Sequence, residues 1–299
     1  MTIPGITGDL LSSEHLAEVV DALPGDGIDR AWVHGLARWW RRAGQALGPA
    51  SAPRAVFDVA TRPLVEHLGF TVARVEPQAW GHAAVLARDD VPVAALLSTA
   101  WGFPIAGTWR LALRSSVATR LPWALVIHGR ALAIVDGTRP WTRRLLTFEF
   151  EEVLRDERAT LALARLARAD VLGAEGDGAL AGHVAASDRA GASVCAALGD
   201  GVLEALAELV VAFDHAGARG RRGTDHAALV LEQALTVVYR LLFLFFAEAR
   251  HLLPVWHRVY RDAYSIDALR RRVMARPNSR GVWAAVQAMA RLAHAGLRH

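Results

Sequence analysis

The spacing of apolar and polar positions predicts a helical start, a strand-rich middle and a long helical remainder. Residues 1–50 read as helices. Ser12 or Ser13 can cap a helix over Glu14–Leu23, which the Pro24-Gly25-Asp26-Gly27 turn ends. Ile28–Leu47 follows, with Ile28, Trp32, Leu36, Trp39, Trp40 and Leu47 at helical intervals, and residues 48–53 form a linker. The adjacent Trp39 and Trp40 read as core residues rather than base-stacking ones, because aromatics on a helix stripe normally face the interior.

Residues 54–155 change period. Ala55–Leu68 reads as a helix closed by Gly69, and Phe70–Val75, Ala83–Ala87, Val91–Leu97, Trp123–His128 and Leu132–Asp136 as strands. Thr108–Leu121 is the helix between them, ended by Pro122. Asp89-Asp90 and Gly129-Arg130 mark tight turns, and Arg143–Phe150 closes the region as an edge strand. Glu152–Leu172 and Val184–Phe213 then read as helices around a Gly-rich break at 173–182, and 217–223 reads as a loop.

The longest apolar run is Asp225–Leu269. Leu229, Leu231, Leu235, Val238, Leu242, Phe243, Phe246 and Leu253 recur at helical spacing, while Leu241, Leu244 and Phe245 fill the other face. That predicts a buried core helix. A membrane span needs about 20 uninterrupted apolar residues, and Arg240 sits mid-window. Pro254 marks its end, and Ser265 is the expected N-cap of a helix over Ile266–Met274. The expected architecture is therefore α/β plus α: residues 1–53 as N-terminal helices, 54–155 as a small α/β unit embedded between helical segments, and 156–299 as a C-terminal helical domain.

Composition adds limits. Of 299 residues 53% are hydrophobic, enough for a sizeable core. All 34 basic residues are arginine, against 30 acids, so the formal charge of +4 is compatible with nucleic-acid binding without requiring it. The absence of lysine removes a Walker phosphate loop and a lysine-dependent nuclease site. Cys195 is the only cysteine, which excludes an internal disulfide; on an apolar helix face it reads as a small buried hydrophobe. The opening residues lack a basic, then apolar, leader pattern, so a cytoplasmic location is expected.

QALTVVYRLLFLFFAEARHLLPVWHRVYRDAYSIDAL resembles the helical segment preceding the methyltransferase core in type IIG-like restriction-modification proteins and related phage-defence adenine methylases. Gly281–His299 resembles the segment after it, where that family continues into an FNG motif and the catalytic domain. The likeness covers roughly Asp225–His299 and, more weakly, Arg54–Phe150. It implies a role as the N-terminal scaffold or DNA-contact portion of an adenine-specific DNA methyltransferase system. S-adenosylmethionine and Mg²⁺ are implied only for the complete family protein, and a methyltransferase subunit or missing C-terminal portion is the implied partner.

The order of elements in 54–155 resembles the PD-(D/E)xK nuclease core, in which acids hold Mg²⁺ beside a lysine. Glu66, Asp89 and Asp90 are the candidate remnant acids. The next strand, Val91–Ser98, offers only apolar residues and Ser98 where acid-x-Lys is required, so a degenerate, inactive nuclease fold is expected. Methyl transfer to adenine needs a (D/N)-P-P-(Y/F) motif, and the chain has no Pro-Pro pair. The Gly-rich 173–178 follows no strand and reads as a linker, and the histidines lack metal-ligand spacing. No catalytic residue or metal site is therefore assigned.

Binding chemistry remains. Arg143 and Arg144, Arg219, Arg221 and Arg222, and Arg270, Arg271 and Arg272 form three basic clusters suited to phosphate contact. A scaffold lacking its catalytic domain predicts an exposed apolar patch at Val282, Val286, Met289 and Leu292. The alternatives are a standalone helical adaptor of a defence system, with those helices buried, or a weakly active nuclease.

Overall fold

The computed structural model describes residues 3–21, 29–217, 224–249, 252–276 and 280–295. Two compact units, Met1–Ser193 and Val194–His299, divide the chain. The first unit is built on one seven-stranded sheet of order β1-β7-β6-β5-β4-β3-β2. Its strands are β1 (Ile6–Gly8), β2 (Thr71–Gln78), β3 (Gly81–Arg88), β4 (Val91–Thr99), β5 (Trp123–Ile127), β6 (Ala131–Asp136) and β7 (Leu145–Glu149). Strands β2–β4 form an antiparallel meander, β5 runs parallel to β4, and β5–β7 form a second meander.

β5 and β6 are buried on both faces; β5 reads as an unbroken apolar run, and β6 is apolar up to Asp136. One face is bulky: Leu96, Leu125, Ile127, Leu132, Ile134 and Phe148 share a core with Leu36, Trp39, Phe57 and Leu163. Those partners come from α2 (Arg30–Ala46), the π turn Phe57–Thr61 and α7 (Glu157–Leu166). The other face is built of small residues, with Ala95, Ala124 and Ala133 beside Leu97, Val126 and Val135. Ala112 and Leu113 of α5 (Ile105–Thr119) pack on it. Helix α5 links the parallel pair β4 and β5, as such a connection requires.

The N-terminal region departs from an all-helical reading, because β1 joins the sheet beside β7. The segment expected as an edge strand is thus interior, and β1 holds the edge. Helices α1 (Ser13–Asp21) and α2 follow, the second capped by Asp29, whose carboxylate accepts from the Ala31 N–H at 2.8 Å. The predicted helix at 55–68 is one continuous rod of α3 (Pro53–Val56), the π turn and α4 (Arg62–His67). Pro63 has no N–H to give, and the widened turn before it accommodates that loss. Trp39 is buried and donates its indole N–H to the Ala60 carbonyl at 2.8 Å, and Trp40 stacks on Trp101.

Glu152–Leu172 is three helices rather than one: α6 (Phe150–Val153), α7 and α8 (Ala169–Leu172). Asp156 restarts the chain as the N-cap of α7 by accepting from Ala159 N–H at 2.8 Å. Helix α9 (Leu180–Gly217) is a single rod, and Cys195 on it is exposed, contrary to the buried position expected.

The second unit holds α10 (Thr224–Ala249), a π turn at Tyr260–Tyr264, α11 (Ile266–Ala275) and α12 (Val282–Ala295). Ser265 caps α11, its hydroxyl accepting from Ala268 N–H at 3.1 Å. A small core joins Leu244, Ile266, Leu269 and Met289. The expectation of a buried α10 fails. Leu229, Leu231, Tyr239, Phe243, Phe245 and Phe246 are exposed, because this core covers only one stripe of the helix. By length and composition His226–Ala249 is long and apolar enough to cross a membrane.

Candidate functional site

Helix α5 packs on β4, β5 and β6, and beside it a groove of about 460 Å³ opens over β7 and β1. Thr7 and Thr147 are direct cross-strand partners on its floor, with Leu145 and Glu149 alternating onto the same face. Phe103, Pro104, His128, Arg130 and Arg143 complete its lining.

The β5–β6 turn fixes two of these side chains. His128 N–H donates to the Ala131 carbonyl, and its own carbonyl accepts from Gly102 N–H at 2.9 Å. Gly129 adopts φ +81°, and a Cβ there would lie 2.2 Å from the Trp101 ring, so only glycine fits. Arg130 follows directly, exposed; its carbonyl accepts from Phe150 N–H at 3.0 Å. At the other end Arg143, also with positive φ, lays its guanidinium over the Trp109 ring of α5, 5.2 Å from the centroid.

Burial holds His128 below the ordinary histidine range, and nearby Arg130 pushes it the same way. The ring is therefore neutral near pH 7. Its Nδ1 lies 3.4 Å from the Arg130 backbone nitrogen. Burial raises Glu149 above the usual carboxylate range, opposed by Arg130 and assisted by Glu152. Arg130 also meets Glu151 at 3.6 Å, an exposed pair worth little. Two guanidiniums, an imidazole, two threonine hydroxyls and the Glu149 carboxyl thus line one groove. Such a set suits anionic oxygens better than apolar ligands.

No protein-family model, curated protein or solved structure matches this chain. The site consequently rests on geometry alone.

Of the arginines singled out from sequence, Arg143 lines this groove and Arg144 does not. Arg144 is turned inward: its fork grips Asp188 of α9 at 2.6 and 3.0 Å and reaches the Leu10 carbonyl at 3.1 Å. Its guanidinium is thus already engaged within the protein. Arg270, Arg271 and Arg272 are exposed on α11, but the first two share Asp267, at 3.1 and 3.2 Å. Arg219, Arg221 and Arg222 lie outside the described residues.

Glu66 is exposed on α4, and Asp89 and Asp90 form the exposed β3–β4 turn, both with positive φ. Asp89 pairs with its neighbour Arg88 at 3.4 Å. Among the described residues no three His, Cys, Asp or Glu side chains gather as a metal site. The strand after the turn is buried from Val93 to Thr99, and Ser98 bonds to Thr61 across the core at 2.7 Å.

Arg130, His128, Glu149 and the threonine pair were not singled out from sequence, since only strand register brings them together. Trp141 had a readable signal. It stands among arginines in Arg139-Pro140-Trp141-Thr142-Arg143 and is 79% exposed.

Proposed function

We propose that this chain is a DNA-contacting scaffold of a restriction-modification adenine-methyltransferase system, with catalysis supplied by other sequence. The observation that carries the reading is the groove over β7 and β1, where Arg130 and Arg143 flank paired threonine hydroxyls. Two features support the family assignment: the YRLLFLFFAEARHLLP string, and a helix, three-stranded meander, helix and parallel strand in the order of a PD-(D/E)xK core. A degenerate core is the form proposed, for Val91–Thr99 carries neither acid nor lysine. A cytoplasmic location goes with this reading.

The test is binding of a labelled DNA duplex and a labelled single strand across a salt series. Phosphate contact predicts that log affinity falls linearly with log salt. A flat response, or no binding at low salt, rejects it.

A helical adaptor with its C-terminal helices buried is the second reading; the cover over α12 favours it, and the exposed apolar side chains of α10 do not. The patch expected at the C-terminal helix is not where the apolar surface lies: Met289 is buried and Val282 and Val286 are half-buried. Leu292 falls where side chains are not described. Active nuclease chemistry is tested by incubating plasmid with Mg²⁺ or Mn²⁺, and the proposal expects no nicking.

A further inference from the structure

Helices α10 and α12 enclose a groove of about 640 Å³ in the second unit. Its apolar surface comes from Tyr239, Phe243, Leu244 and Ala290, and Arg240 and Arg291 line it as well. Tyr239 and Phe243 are 67% and 54% exposed although one helical turn apart on one face, which is costly to leave facing water. Among the described residues no acid lines the groove, and neither Arg240 nor Arg291 makes an ion pair. Two uncompensated guanidiniums beside an aromatic trough define the chemistry of what fills it.

We propose that this groove docks an acidic amphipathic helix of a partner protein. Its apolar stripe would lie on Tyr239, Phe243 and Leu244, with carboxylates meeting Arg240 and Arg291. A trough between two helices fits helix-in-groove recognition, in which anchors at i, i+3, i+4 and i+7 face the floor. Planar guanidiniums at the rim select carboxylates by two-point hydrogen bonding. A bilayer is the less favoured occupant, because Arg240 stands mid-helix among the residues that would meet lipid. The inference is independent of DNA contact by the sheet unit.

The probe is a fluorescein-labelled synthetic helix with leucines at i, i+3, i+4 and i+7 and glutamates on both flanks, titrated against the full chain by anisotropy. A second peptide carries lysines in place of the glutamates, and anionic phosphatidylserine vesicles form a third arm. Saturable binding of the acidic helix is expected, with the basic helix much weaker. R240E/R291E should weaken the acidic helix by about tenfold or more and strengthen the basic one. That exchange of preference shows the variant is folded, because a collapsed groove would lose both. Failure of the acidic helix to bind, equal binding of both helices, or arginine-dependent binding to vesicles alone overturns the proposal.

Discussion

Arg144, the residue before β7, and Asp188 of α9 form a two-point ion pair, Nη2 to Oδ1 at 2.6 Å and Nη1 to Oδ2 at 3.0 Å, which Arg139 joins at 2.6 Å. The pair is mostly shielded by protein, with side chains 15% and 30% exposed, and through it the sheet margin holds the first turns of α9. Asp188→Asn keeps the shape and removes the charge, so it should cost about 1–2 kcal/mol after allowing for solvent exposure. The Arg144 hydrogen bonds are the largest cause holding the Asp188 carboxyl below its ordinary range. The folded form therefore binds its proton more weakly than the unfolded chain. Its contribution is complete above about pH 4, the unfolded value, and is lost as pH falls through the folded one. Denaturant titrations of wild type and variant should converge in that acid window, and a constant difference would contradict this.

Burial lowers His67, His82, His128 and His183 alike. The unfolded chain takes up these protons first as pH drops through about 6.5, so stability declines from there down to the folded values. The melting temperature should be level above about pH 7 and fall progressively towards pH 5. A melting temperature independent of pH across that interval would show that these rings are not buried as neutral groups.

Gly129 sets the direction of both His128 and Arg130. In Gly129→Ala a methyl group would need the space of the Trp101 ring at a φ that side chains avoid. The expected cost is about 1–3 kcal/mol, with loss of DNA binding beyond what Arg130→Ala causes. Unchanged stability by calorimetry would refute this account of the turn.

Much of the sheet unit was legible in the sequence because strand chemistry is local. Alternation and β-branched runs mark β3, β4, β5 and β6, and Asp89-Asp90 is a turn in its own right. β1 was not legible: three residues, Ile6–Gly8, carry no periodicity, and only their pairing with β7 makes them a strand. The burial of α10 was misjudged for a related reason. Apolar content shows that a helix wants cover, and only tertiary packing shows whether cover is present. The groove was the least readable part. Arg143 was noted from its neighbour Arg144, which turned out to face inward, while Thr7 and Thr147 are 140 positions apart and meet only through register.

Trp141 is exposed two residues before Arg143, and the proposed DNA contact assigns it base stacking. Trp141→Ala should weaken single-stranded DNA binding by about 1–3 kcal/mol and duplex binding much less. Its thermal stability should match wild type, since the side chain buries little. Equal losses on both forms of DNA would assign Trp141 to something other than base stacking.

The salt dependence of DNA binding by the double variant Arg130→Ala/Arg143→Ala tests the central claim most directly. Each phosphate contact removed should reduce the slope of log affinity against log salt by about 1, so the variant should lose about 2 and bind all sequences more weakly. Arg144→Ala, compared at equal folded fraction, should leave that slope unchanged. An identical slope for wild type and the double variant would contradict the account, whatever the affinity.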